Sequence, residues 1–385
     1  VTIPMDKMNQ AISELSYSDF RNILQNAQQR ANIRLMEVSK MANIGRVGFF
    51  GFGGKGRGLA SHIRATSNVE LIIYDSDPAV RARALAEGFD VVEDLYSIQS
   101  SEGIVILGAC QSQLEQAREV GARAVFFQEA AHLFDAPHLA NKVREFSEWV
   151  VANLDSLYRT YMLVHPRSRE AFMAVIRFRN SLDPRDLVDT RRNNRNMWFD
   201  IIETGSTRDY KIFLDVGAFD GDTIRQAFSR LLIQRAIAVE ANAALFPQIR
   251  SSGIGISEEV LIVPYAAWSH RCRLKATEVR GGMVSVIEAD DGELEAAPID
   301  ESVNESVDLI KIDIEGAEIN ALVGLRSVLQ GFPDLAIAAY HKPQDLATIP
   351  DYLFGHGYRV ENFDLHVAHY SDCLDDTIIY FLRKQ

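Results

Sequence analysis

Two stretches of this 385-residue chain place glycines beside acidic side chains in an order that suits ligands with a nucleoside part. In the more specific one, Asp215-Val216-Gly217-Ala218-Phe219-Asp220-Gly221-Asp222-Thr223 follows the apolar run Ile212-Phe213-Leu214. A glycine turn between strand and helix lets the backbone approach a ligand, and the helix N-terminus adds amide donors and a positive dipole. The loop begins with an acid, unlike a dehydrogenase loop, and an acid there can bond the ammonium of an aminocarboxylate. Glu240 ends the next apolar run, 19 residues after Gly221, where a carboxylate can grip both ribose hydroxyls; Asn242 lies just beyond. Ala266 and Ala267 follow a third run over 260–265 and add small side chains. Together these residues describe a pocket for S-adenosylmethionine.

The other stretch is Gly51-x-Gly53-x-x-Gly56, after Arg46-Val47-Gly48-Phe49-Phe50 and before a helix-like segment. Asp75 ends the following strand-like run. This context gives the glycine pattern its dinucleotide meaning, with Asp75 accepting from a ribose. The same glycines are needed by the first turn of any doubly wound domain, so a nucleotide site and a purely structural loop both fit. Cys110 follows Leu107-Gly108-Ala109 with no evident base nearby, so a nicotinamide oxidoreductase is the weakest reading.

Further motifs narrow the reading of the Asp215 stretch. Val307-Asp308-Leu309-Ile310-Lys311-Ile312-Asp313-Ile314-Glu315-Gly316-Ala317-Glu318 resembles the signature of FkbM-type methyltransferases, and Asp215 to Asp222 matches that family's D-x-G-A-x-x-G-D. Tyr340 to Leu346, His369-Tyr370-Ser371 and Thr377 to Tyr380 are similar to one subfamily, as is the lead-in of His165 to Glu170 with Met197-Trp198-Phe199. The resemblance spans roughly residues 155–385 in order. Phe219 stands where the widespread loop has a middle glycine, and Glu240-Ala241-Asn242 lacks the usual proline. The resemblance implies a seven-stranded Rossmann-like sheet with an antiparallel last strand. It also implies methyl transfer from S-adenosylmethionine to a hydroxyl of a saccharide or secondary metabolite. A non-catalytic binding module that keeps the pocket is the alternative.

Such a transfer is an in-line displacement that needs positioning and removal of the hydroxyl proton. His341 falls just past the fifth strand-like run of this region, Asp313 and Glu315 just past the fourth, all at the edge where open α/β sheets bind ligands. His369, between the last two strands, can reach the same crevice. These four are the catalytic candidates, with His341 as base. Glu318 lies one helical turn past Glu315 and can simply face solvent. No metal is expected; a cation on Asp313, His341 and His369 is the minor alternative. His62, His132, His138, His165, His270, His356 and His366 read as ordinary residues.

The elements that must hold these groups follow from hydrophobic pattern. Strands are expected at 46–50, 69–74, 90–92, 103–107 and 123–127, then at 211–216, 235–240, 260–265, 307–313, 334–340, 358–363 and 377–382, with helices between. Strand alternating with helix implies parallel sheets. The expected organisation is α/β with two Rossmann-like doubly wound domains: a helical arm (1–44), a nucleotide-binding-type domain (45–140), a helical connector (141–205) and a methyltransferase domain (206–385). In the connector, Arg191, Arg192, Arg195 and Trp198 either pack the seam or line an acceptor cleft. Net charge is −13, from 40 Lys+Arg against 53 Asp+Glu, which argues against a nucleic-acid partner and towards a small-molecule or saccharide acceptor. Three scattered cysteines, no h-region and no apolar stretch of spanning length point to a cytoplasmic protein without membrane contact. Oligomeric state is open.

Overall fold

A computed structural model of the chain describes residues 15–40, 45–99, 105–108, 110–193, 197–205, 209–231, 233–253, 259–279 and 283–384. Helix α1 (Tyr17–Ser39) starts at Ser16, whose side chain accepts from the Asp19 amide. Phe20, Leu24, Ala27, Ala31 and Val38 recur at helical spacing and are all buried, so α1 has one apolar stripe.

The first α/β unit alternates β1 (Arg46–Phe50), α2 (Gly54–Thr66), β2 (Glu70–Tyr74), α3 (Pro78–Ala86), β3 (Asp90–Val91), α4 (Tyr96–Gln99), β4 (Val105–Gly108), α5 (Gln111–Glu119) and β5 (Arg123–Phe126). Its strands form one parallel sheet in the order β3-β2-β1-β4-β5. Gly56 has a packing reason: a Cβ there would stand 2.3 Å from the Gly51 carbonyl oxygen.

Helices α6 (Phe127–Leu133), α7 (Pro137–Ala152), α8 (Leu154–Leu163), α9 (Arg169–Ser181) and α10 (Asp200–Gly205) follow. The expected boundary at residue 140 falls inside α7. Helix α9 buries most of its length, including Phe172, Val175, Ile176 and Phe178, in the same core as α1 and one face of the second sheet.

The second unit comprises β6 (Ile212–Val216), α11 (Asp222–Arg230), β7 (Arg235–Val239), α12 (Phe246–Ser251), β8 (Glu259–Val263), β13 (Leu309–Ile312), α13 (Glu318–Gly324), β14 (Asp334–Ala338), α14 (Asp345–Gly355), β15 (Phe363–His369) and β16 (Thr377–Arg383). The seven strands order as β15-β16-β14-β13-β6-β7-β8. All pairings are parallel except those of β16, which runs antiparallel to both β14 and β15. The central strands are apolar on both faces because helices cover both; all of β13 and β14 is buried. The expected strand at 358–363 begins only at Phe363. Before it, the Asn362 and Phe363 amides both bond to the Arg359 carbonyl, and this turn removes the residues from the sheet.

One element was not anticipated. Between β8 and β13 the chain forms a four-stranded sheet of β9 (Ala266–Ala267), β10 (Cys272–Val279), β11 (Met283–Glu288) and β12 (Leu294–Ala297), in the order β11-β10-β12-β9. The alternation Cys272-Arg273-Leu274-Lys275 is its sequence trace. Among the described residues, no helix is long and apolar enough to cross a membrane.

Candidate active site

In the second sheet the chain leaves β6 towards β7 and returns at β13 on the other side of β6. The crevice between β6 and β13 is thus a topological switch point, where α/β sheets bind ligands. The loop after β6 and the loop after β13 meet there, and the Asp313 amide bonds to the Val216 carbonyl at 3.0 Å. Gly217 is the close approach. Its φ is +80°, and a Cβ would lie 2.0 Å from the Asp313 carbonyl oxygen.

A cavity of 540 Å³ opens at this crevice, within the usual size of a small-molecule site. Gly217, Phe219, Asp222, Thr223, Glu240, Ala266, Ala267, Asp313 and Glu315, all named above from the sequence, stand on its wall. Glu240 accepts from the Phe219 amide at 3.0 Å through Oε2 and from the Asn242 amide at 2.7 Å through Oε1, so it ties the glycine loop to the end of β7. Phe219 holds a left-handed φ of +49° and is 64% exposed. A strained, exposed aromatic at a loop tip marks a surface shaped for something other than stability.

The remaining expected cofactor residues lie behind the wall. Asp215 is fully buried and pairs with Lys311 Nζ at 2.9 Å, so it cannot meet a ligand ammonium directly. Burial pushes its carboxyl up to about 6 against the pull of Lys311. Burial works against the Lys311 ammonium, but Asp215 and Asp313 hold it above its ordinary value. At neutral pH this is a buried ion pair. Lys311 also donates to the Gly217 carbonyl at 2.6 Å and lies 5.2 Å from the Trp198 ring centre. Ala218 packs in the core, Asp220 bonds Arg225 at 3.1 Å, and Gly221 precedes α11 in the left-handed region. The Asn242 side chain accepts from the Ala244 amide at 3.1 Å, and Ala241 takes its place at the cavity.

The catalytic candidates divide. The His341 side chain is 4% exposed. Its Nδ1 lies 2.8 Å from Glu318 Oε1, and its Nε2 lies 3.5 Å from both Asp313 Oδ1 and Glu315 Oε2. Burial opposes its charge, but the Glu318 bond and the three carboxylates together hold the imidazolium up to about 9. Its protonated form is therefore favoured at neutral pH, which sets His341 against the role of base that the sequence suggested. Glu318, expected to be able to face solvent, is fully buried. It also accepts from the Ile314 and Gly316 amides at 3.2 Å, so one carboxylate fixes both His341 and the loop that carries Asp313 and Glu315. Burial would raise its carboxyl, yet His341 holds it below the usual range. Glu315 turns back towards His341 through a left-handed φ of +56°. Tyr340 donates to Asp313 Oδ1 at 3.2 Å.

His369 does not join the site. It is buried at the end of β15, bonded to Thr377 Oγ1 at 2.9 Å, and packed against α9. Burial and the nearby Arg179 push it down to about 3, so it stays neutral. His369 is therefore not a partner of Asp313 and His341; the group that brings a ligand atom within 4.8 Å of both is Glu318. Trp198 packs in the core of the second unit and lines the cavity, with Met197. Arg191 pairs with Asp372 and Arg192 with Asp200, while Arg195 lies outside the described residues. The sequence pattern assigned no role to Lys311 or Trp268, and Glu318 was expected to be able to face solvent. The signal for Lys311 was available, as a single cation inside the apolar strand Leu309-Ile310-Lys311-Ile312.

The first glycine loop is closed on itself. Asp75 accepts from the Phe52 amide at 2.8 Å and the Asp77 amide at 2.9 Å, one through each carboxylate oxygen. Gln113 lies against Gly51, 3.1 Å from where a Cβ would stand. Asp75 thus braces its loop as Glu240 braces the other.

Residues 215–360 match the family model of the methyltransferase FkbM domain. The fold is that of the methyltransferase FkbM from Methylobacillus flagellatus KT, with a TM-score of 0.71 at 18% identity over 95% of this chain and 100% of that one. An rRNA methylase from Streptococcus thermophilus gives a TM-score of 0.30 at 14% identity, over 46% of this chain and 89% of its own. Aeropyrum pernix fibrillarin gives 0.31 at 13%, over 49% and 76%. No curated protein matches the sequence. The switch-point crevice and the braced glycine loop thus lie within or beside the stretch, residues 215–360, that is similar to the methyltransferase FkbM domain.

Proposed function

We propose that this chain is an S-adenosylmethionine-dependent O-methyltransferase whose acceptor is a hydroxyl of a saccharide or secondary metabolite. The observation that carries this reading is the convergence of the Gly217 loop, Glu240 and the Asp313–Glu315 loop on one cavity. The donor fits the residues present. Gly217 leaves room that a Cβ would fill, and Glu240 stands on the wall at the end of β7 with both oxygens oriented by backbone amides. Glu240 would hold the ribose, and the amides of the loop and Thr223 would face the aminocarboxylate end. When bound, S-adenosylmethionine supplies a methyl group on a cationic sulfur.

The chain's own residues do the rest. Met197, Trp198, Trp268 and Ile314 give the cavity an apolar, partly aromatic wall that excludes water and offers flat surfaces to a ring. Asp313, on that wall, orients the acceptor hydroxyl and takes its proton. Protonated His341 stands behind Asp313 and Glu315, balancing their charge and fixing their positions, with Glu318 holding the ring from the other side. Positioning of this kind contributes more than acid strength when the leaving group is good. Calorimetric titration with S-adenosylmethionine tests the donor: saturable binding is expected. Its absence in folded protein, or unaltered affinity in Glu240→Ala, would sink the reading.

A further inference from the structure

Outside the active site, one cluster of ligating side chains stands on the four-stranded sheet that roofs the cavity. His270, Cys272 and Glu288 each bring a ligand atom within 4.8 Å of the others. They come from the β9–β10 connection, β10 and the end of β11. Leu274 pairs directly with Glu288 across the strands, and Cys272 lies two residues before Leu274, so Cys272 and Glu288 share one face of the sheet.

We propose that these three residues bind a divalent transition cation, Zn²⁺ by the character of the donors, which clips the roof of the cavity. The donor set is one imidazole nitrogen, one thiolate and one carboxylate, the mixture zinc takes. With a thiolate and a carboxylate, the three ligands neutralise a divalent charge. His270 Nε2 and Glu288 Oε2 are 3.4 Å apart, which is close to the edge of a tetrahedron with metal bonds of about 2.0–2.1 Å.

The outer contacts are those of a metal site. His270 Nδ1 lies 3.0 Å from Ser269 Oγ. The tautomer with its proton on Nδ1 donates to Ser269 and leaves the Nε2 lone pair directed at the cluster. Glu288 Oε1 accepts from Trp268 Nε1 at 2.7 Å, which leaves Oε2 for the cation. Hydrogen bonds that orient ligands in this way accompany metal sites generally. On binding, the Cys272 Sγ–H bond gives its proton to solvent and sulfur bonds the cation in its place. Water fills the fourth position, where Cys272 and Glu288 border a second cavity.

The consequence is mechanical. Trp268 and Leu274 line the methyl-transfer cavity, and Trp268 is tied to the ligand Glu288. A cation joining β10, β11 and the turn before β10 holds that roof in place without touching the reacting groups.

The test is titration of the whole purified chain with Co²⁺ as the probe metal. We expect one equivalent to give a near-ultraviolet sulfur-to-cobalt charge-transfer band, which Zn²⁺ abolishes by displacement. Cys272→Ser loses the band, whereas Cys110→Ser and Cys373→Ser keep it. Ser269→Ala weakens affinity by about tenfold or more, as loss of an orienting contact does. His270→Ala, at an exposed side chain, provides an independent check should Cys272→Ser fold poorly. No band in the unmodified chain, or a band that survives either Cys272→Ser or His270→Ala, overturns the proposal.

Discussion

Glu318→Gln separates the pairing described above from a merely well-packed loop. Glu318 is fully buried and 2.8 Å from His341 Nδ1. The substitution keeps shape and one acceptor but removes the charge. In the unmodified chain His341 is raised from 6.5 to about 9. At about 1.4 kcal/mol per pKa unit, that shift is worth about 3.5 kcal/mol of folding stability as an upper bound. The sign follows from the direction. A group whose folded pKa is raised contributes fully below its unfolded value, so the contribution is complete below pH 6.5. It declines as pH rises and is gone above about 9. Glu318→Gln should therefore cost about 2–3 kcal/mol at pH 6, comparable to breaking other buried pairs. The difference should shrink steadily to a small residual near pH 10. Urea denaturation of both proteins at pH 6, 7, 8, 9 and 10 measures it. Curves separated by the same amount at every pH would refute the reasoning, as would a His341 imidazole titrating near 6.5 by NMR.

Three other outcomes follow from the same geometry. Glu240→Ala should weaken S-adenosylmethionine binding by about tenfold to a hundredfold, since charge-assisted hydrogen bonds contribute about 1.5–3 kcal/mol; calorimetry measures the loss. Asp313→Asn should lower kcat by about a hundredfold or more while leaving donor affinity within about twofold, because general-base removal acts on chemistry alone; steady-state kinetics on an identified acceptor, with parallel calorimetry, checks the split. Lys311→Met should cost about 3–5 kcal/mol by leaving Asp215 buried without its cation. Adding Asp215→Asn should restore at least half of that in denaturant melts, since no buried charge then remains.

Much of the fold was legible because its signals are local. Buried parallel strands must be apolar on both faces, so β1, β2, β6, β7, β13 and β14 stand out as short runs between helical segments. Glycine positions were legible for a similar reason: Gly56 lies where helix α2 approaches the turn after β1, and Gly217 where the loops after β6 and β13 meet, each too closely for a Cβ. The roof sheet was harder. Its strands are short or half exposed, so no run of apolar residues marks them.

The sequence by itself determined the class of fold, the ordered motifs and the loops that form the site, because periodicity, turn chemistry and motif order are written along the chain. Only tertiary structure decided what each acid and histidine does. Charge state depends on neighbours from other elements. His341 became a held cation because α13 delivers Glu318 to it, and the loop after β13 delivers Asp313 and Glu315. His369, with a similar place in the motif order, became a neutral core residue because α9 covers it. Asp215 and Glu240 both stand close to the end of a strand before a turn, yet one is sealed behind Lys311 and the other faces the cavity. Spacing along a chain states which loops meet at a sheet edge. Which atoms are desolvated, paired or exposed is set by packing across that edge, and such through-space terms have no counterpart in sequence order.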